Sequence, residues 1–206
     1  MKQREMQNTE TQTPVSAPAL DIAGNRRARK FSRGVLLRRV LWGVGSIAFR
    51  FSPRTSFGWR RFLLRSFGAK IGAHVNTYPS TRIYFPWNLI VGDWSAIGED
   101  AFIYNPGPVT LGEKVTISHR AQLCAGTHDY TQPDLPLLTP PINIRDQAWI
   151  CADAFIGPGV TVGEGAIIGA RAVTMKNVEP WTIVAGNPAV KIKRRVLETN
   201  REGRSL

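Results

Sequence analysis

Two cysteines in 206 residues are too few for a disulfide framework. Cys124 and Cys151 each fall where small residues recur in a repeat described below, so packing accounts for both and a reducing compartment is expected. Long apolar runs are missing too: the richest stretch, 34–51, is broken by Arg38, Arg39 and Arg50, which excludes a bilayer span there. The first twenty residues are polar and have no apolar core of a signal peptide, so a cytoplasmic protein is expected, free or held peripherally at the inner face of the membrane. No P-loop and no G-x-G-x-x-G precedes a helix, which removes those nucleotide sites. Acid is scarce at one end only. Residues 1–70 hold 3 Asp/Glu against 15 Lys/Arg, while 71–206 hold 12 of each. The net +12 therefore belongs to the N-terminal third, and a neutral folded body is a poor nucleic-acid binder.

Residues 1–30 are rich in Gln, Thr, Asn, Pro and Arg with few apolar anchors, which predicts a disordered tail. Residues 31–70 change character. Clusters such as Val35-Leu36-Leu37, Val40-Leu41-Trp42 and Phe62-Leu63-Leu64 alternate with arginines, which predicts two amphipathic helices separated by Ser52-Pro53. Arginine beside Trp and Phe suits a helix lying on anionic lipid. The same apolar face suits a lid on the end of a solenoid, and the two readings are compatible.

From Ile71 a six-residue period sets in. Ile144, Ile150, Ile156, Val162 and Ile168 follow one another at that spacing, and four residues after each stands Ala148, Ala154, Val160, Ala166 or Ala172. Upstream the same rule gives Ile71-Gly72, Val91-Gly92, Ile97-Gly98, Leu111-Gly112, Ile117-Ser118 and Leu123-Cys124. Six is neither the helical period nor a plain strand alternation; it is a short strand and a tight turn, with Gly supplying a turn conformation other residues resist. Strands so short must stack into coils around a continuous core, a parallel β-helix spanning 71–190. A long helix fails because Gly, Pro and β-branched residues recur throughout. The period breaks twice. Tyr104-Asn105-Pro106-Gly107-Pro108 adds two residues, and 129–142, with four prolines, is a loop thrown out of the solenoid. Residues 191–206 form a basic C-terminal tail in this reading.

Gly126-Thr127-His128-Asp129-Tyr130 at the loop, Trp149-Ile150, Ile156-Gly157-Pro158-Gly159-Val160 and Ala185-Gly186-Asn187-Pro188-Ala189 together resemble the hexapeptide acyltransferases. The nearest likeness is the branch of maltose, galactoside, nodulation-factor and colanic acid acetyltransferases. The resemblance implies an all-β, left-handed parallel β-helix and a homotrimer with sites between subunits. It also implies an O-acetyltransferase moving acetyl from acetyl-CoA to a sugar hydroxyl in exopolysaccharide or other surface-glycan synthesis, with no metal. An alcohol is a weak nucleophile near neutral pH and needs a base to take its proton, a role suited to histidine. The family's catalytic histidine falls on His128. Asn105 in the two-residue bulge falls where relatives contact the acceptor, and Asp129 is the other acceptor-side candidate. The coenzyme's arm falls along Trp149, Ala152 and Ala170, with Met175 and Lys176 further on and Lys193 near its phosphates. Lys191, Arg194 and Arg195 could share that charge. Relatives often carry Thr where Met175 stands, so that contact loses a hydroxyl.

Two other classes remain. A γ-type carbonic anhydrase shares the β-helix but needs three histidines around zinc, and only His119 and His128 are close in the repeat while His74 lies coils away. A non-catalytic β-helix scaffold would be indifferent to the loss of His128.

Overall fold

The aliphatic residues of the six-residue period turn inward and are almost wholly shielded from solvent, from Ile71 through Ile97, Ile117 and Ile150 to Ile168. The computed structural model describes residues 19–198. In it the repeat winds as a left-handed parallel β-helix of three faces. The first face stacks Lys70–Ile71, Leu89–Val91, Val109–Leu111, Ile142–Ile144 and Thr161–Val162. The second stacks Asn76–Thr77, Ala96–Ile97, Thr116–Ile117, Trp149–Ile150, Ile167–Ile168 and Thr182–Ala185. The third stacks Arg82–Ile83, Phe102–Tyr104, Gln122–Cys124, Phe155–Ile156 and Val173–Thr174.

The glycines after the aliphatics serve close approach rather than turn conformation. A Cβ at Gly92 would lie 2.5 Å from the Gly112 carbonyl carbon of the next coil, and one at Gly163 would lie 2.4 Å from Pro180 N. The left-handed turn positions are taken mostly by other residues: His74, Trp94, Lys114, Gln147 and Trp181 along one edge, Asp100, Arg120, Asp153 and Arg171 along the next. Each is uncommon for a residue with a side chain. The burial of the flanking aliphatics offsets that cost.

Helices α2 (Arg33–Arg50) and α3 (Phe57–Ser66) lie either side of Ser52-Pro53 and close the first coil. Trp42, Phe49, Leu63 and Leu64 are buried there. The start of a solenoid leaves strand carbonyls without a preceding coil, and buried carbonyls need donors. Trp42 Nε1 donates to Ile83 O at 2.8 Å, Arg61 to Val75 O at 3.0 Å and Arg65 to Ile71 O at 2.6 and 2.9 Å. Arg60 is fully buried; it donates to Thr77 O and ties down the turn between the helices through Ser52 Oγ, Pro53 O and Arg54 O. Burial pulls its pKa below the usual guanidinium value. Among the described residues nothing covers the opposite flank of α2: Leu37, Val40, Leu41, Val44, Ile47 and Phe51 are exposed.

Two segments differ from the sequence expectation. Within 1–30, expected as a tail, residues 1–18 lie outside the described residues, but Ile22–Arg27 forms helix α1, capped by Asp21, whose carboxylate accepts from Gly24 N at 2.7 Å. Long-range hydrogen bonds hold this helix, and local composition carries no sign of those. At the other end, the expected tail from 191 begins as a strand: Val190–Arg194 pairs antiparallel with Thr182–Ala185. Arg195 then donates to Gln147 O and Gly165 O, while residues 199–206 lie outside the described ones.

Candidate active site

The solenoid opens once, after Cys124. Leu111 and Ile144 are neighbours 33 residues apart on the first face, where Ile144 and Val162 are 18 apart. The added residues form a hairpin in which Thr127–His128 pairs antiparallel with Leu137–Leu138. Its expected range, 129–142, thus begins with paired backbone rather than free loop.

His128 is exposed at the base of this hairpin. Its Nδ1 lies 2.6 Å from Leu135 O. A carbonyl can only accept, so in the neutral ring Nδ1 carries the proton and Nε2 keeps its lone pair. Leu135 itself sits at φ +46°, a left-handed conformation costly for leucine, and that turn aims its carbonyl at the ring. The same oxygen accepts from Asn25 Nδ2 of α1 at 2.9 Å, and Asp21 N donates to Pro133 O at 2.8 Å. The N-terminal helix is therefore stitched to the hairpin that carries the histidine. Asn25 was not legible as a site residue, since an isolated Asn in a polar stretch has no local signature.

The two acceptor-side candidates are both engaged within this chain. Asn105 is fully buried, and both ends of its amide are taken by one residue: Oδ1 accepts from Phe85 N at 2.8 Å and Nδ2 donates to Phe85 O at 2.7 Å. One donor and one lone pair remain, but the residue is shielded from solvent in this chain. Asp129 accepts from Thr131 N at 3.0 Å, from Thr131 Oγ1 at 2.6 Å and from Gln132, so its carboxylate closes its own turn. Those bonds, chiefly the Thr131 hydroxyl, hold its pKa below the usual range.

The coenzyme-side residues divide between surfaces. Trp149 pairs with Ile167, Ile167 with Ile183 and Ile183 with Lys193, so an apolar row across the second face ends on a cation. At strand spacing the row is about 14 Å long. Trp149 is 43% exposed, with Nε1 donating to Ser118 Oγ at 2.9 Å. Ala152 and Ala170 lie at the neighbouring edge, where Arg171 N donates to Ala152 O. Met175 and Lys176 stand elsewhere, in a groove of about 430 Å3 that Ala189 and Lys191 also line. Lys191 pairs with Glu179 at 2.8 Å and Arg195 is committed to carbonyls, which leaves Lys176, Lys193 and Arg194 as the cations without an ion pair there among the described residues. His74 stacks on Trp94 with centroids 4.0 Å apart, and His119 sits exposed at another edge. Among the described residues no three metal-ligating side chains converge.

A three-faced hexapeptide coil with one histidine-bearing hairpin defines a class, the hexapeptide-repeat acyltransferases. Residues 141–175 match the family described as bacterial transferase hexapeptide (six repeats). The chain is 38% identical over 177 residues to the protein named "Putative colanic acid biosynthesis acetyltransferase WcaF" of Escherichia coli (strain K12), covering 85% of this chain and 97% of that one. It is 26% identical over 137 residues to the galactoside O-acetyltransferase of the same organism, covering 65% and 68%. A hexapeptide-repeat containing acetyltransferase of Vibrio cholerae has the same fold. Its structure alone superposes with a TM-score of 0.74 at 25% identity, covering 79% and 93% of the two chains. Its complex with acetyl coenzyme A superposes with a TM-score of 0.74 at 24% identity, covering 81% and 91%. The chain belongs to the hexapeptide-repeat acetyltransferase family.

Proposed function

We propose that this chain transfers acetyl from acetyl-CoA to a sugar hydroxyl during synthesis of an exopolysaccharide or other surface glycan, with His128 as general base. The observation that carries the base assignment is the bond from Nδ1 to Leu135 O, which in the neutral ring leaves the lone pair on Nε2. In this reading Nε2 takes the proton of the hydroxyl as its oxygen bonds to the thioester carbon. The tetrahedral adduct then expels the coenzyme thiolate, which recovers the proton from the imidazolium. The apolar row from Trp149 to Lys193 suits a pantetheine arm with a phosphate at its end, and Ala152 and Ala170 leave room beside it. Met175 and Lys176 lie on a different surface, and His128 is exposed in a single chain. Both facts favour a homotrimer in which one subunit's wall closes on the next subunit's hairpin. The exposed apolar flank of α2, in a basic N-terminal segment, supports peripheral contact with anionic lipid.

The test is acetyl-CoA turnover against sugar nucleotides and lipid-linked glycans, with His128→Ala beside the wild type. Equal turnover by the two proteins would overturn the base; light scattering that shows a monomer under turnover conditions would overturn the trimer.

A further inference from the structure

Between α2 and the outer surface of the third face lies a cleft of about 510 Å3 that none of the assignments above uses. Trp42, Ile83 and Phe102 give it an apolar floor, and Arg39, Arg50 and Arg82 contribute to its walls. Arg39 and Arg50 are eleven residues apart on one helix, close to three full turns, so both fall on the same side of α2. Arg82 comes up from the strand beneath. Among the described residues no Asp or Glu lines the cleft and none of the three guanidiniums forms an ion pair. Arg39 rests instead 5.5 Å from the Tyr84 ring centroid and donates to its hydroxyl at 3.3 Å, while Arg82 lies 5.3 Å from the Phe102 centroid. Three like charges around one hollow repel one another until an anion joins them.

The cleft is also aligned with the hairpin. Tyr84 and Tyr104 stand in successive coils of the third face with ring centroids 5.0 Å apart, and Tyr104 pairs in register with Cys124, after which the chain leaves for His128. At strand spacing, Tyr84 is about 10 Å from that point of departure. Two aromatic rings in a column offer faces on which a sugar ring packs.

We infer that this cleft is an anion subsite for the acceptor, taking the phosphate or diphosphate through which the acceptor sugar is carried, with the sugar lying along Tyr84 and Tyr104 toward the hairpin. The inference rests on the acetyltransferase reading and narrows its substrate class. Three guanidiniums suit the multiple charges of a diphosphate better than the single charge of a carboxylate. The carrier is a nucleoside diphosphate or a polyprenyl diphosphate; the chemistry read by the cleft is the same.

The first measurement is calorimetric titration of inorganic pyrophosphate into the full chain, as wild type, Arg50→Gln, Arg82→Gln and Lys114→Gln, the last removing one charge at an edge remote from the cleft. Wild type and Lys114→Gln are expected to bind alike, and each arginine change to weaken binding about tenfold. Absent binding, or binding that the two arginine changes leave alone, overturns the subsite. The second measurement is acetyl transfer to one sugar offered free, as its nucleoside diphosphate and on a short polyprenyl diphosphate. One of the linked forms is expected to show the lower KM, and Arg82→Gln to raise that KM about tenfold with kcat retained. Whichever carrier is preferred identifies the source, and a free sugar used equally well overturns the inference while leaving acetyl transfer intact. Arginine-dependent pyrophosphate binding without transfer to any acceptor would instead sink the acetyltransferase reading and keep the anion subsite.

Discussion

Asn25 and His128 share one acceptor, the carbonyl oxygen of Leu135, although they are 103 residues apart in the numbering. A carbonyl has two lone pairs and accommodates both donors. The amide of α1 thereby fixes the oxygen that fixes the ring. Asn25→Ala is expected to lower kcat by about tenfold, in line with the loss of its Nδ2 bonds to Asp134 O and Leu135 O, while acetyl-CoA affinity and the melting temperature stay close to wild type. Steady-state kinetics with coenzyme titration checks this, and recovery of kcat in Asn25→Gln would mark a positioning role rather than a general loosening.

His128→Ala is expected to reduce acetyl transfer by roughly 10²–10⁴-fold, with acetyl-CoA binding nearly intact. His119→Ala, at an edge away from the hairpin, is expected to turn over like wild type. Thiol release from acetyl-CoA measures both. Near-normal turnover by His128→Ala, or a lethal His119→Ala, would show a different base.

Asn105→Ala distinguishes a structural amide from an acceptor contact. Its removal leaves Phe85 N and O without partners in a buried site, at about 1–3 kcal/mol for each group. A lowered denaturation midpoint is expected, with the KM for acceptor little changed in the protein that remains folded. A KM effect without loss of stability would restore the acceptor role.

Arg60→Met should destabilise the chain by about 3 kcal/mol or more, because Thr77 O, Pro53 O and Arg54 O lose a common buried donor. Chemical denaturation measures it. The exposed Arg54, paired with Glu99 on the surface, should cost little when replaced by Met.

Acid should weaken the edge where Asp153 bonds Arg120. The Arg120 guanidinium holds the Asp153 carboxyl below its ordinary value of 3.8. A depressed carboxyl stabilises the fold fully above that ordinary value, and the contribution disappears as pH falls through the folded-state pKa. Wild type should therefore lose stability more steeply than Asp153→Asn on acidification below about pH 4, read from melting temperature against pH. Parallel curves would remove this ion pair from the account of acid lability.

The core was open to reading because its signal is periodic. Ile144, Ile150, Ile156, Val162 and Ile168, with Ala148, Ala154, Val160, Ala166 and Ala172 between them, are all buried. That the chain leaves the solenoid beside His128 was legible from the motif around it. What the sequence concealed were polar bonds made only in the folded chain: Arg60 belongs to a basic amphipathic stretch whose composition suits a solvated face, yet it is buried against Thr77 O of the first coil and the Ser52 Oγ, Pro53 O and Arg54 O of the turn between the helices. Asn105 shows the converse. The resemblance to relatives suggested an amide turned to the acceptor, and in this chain stacking of the coils holds it against Phe85.

The hairpin leaves the solenoid and returns without disturbing the stack. Gln122 still faces Phe155 and Thr116 still faces Trp149, as though the intervening residues were absent. Its length is thus a quantity the β-helix does not sense, and selection is free to rewrite it. Asn25 and Asp21 do sense it. A hairpin transplanted from a relative would arrive without the helix that grips it, so acceptor preference in this lineage should be inherited as two separated segments changing together.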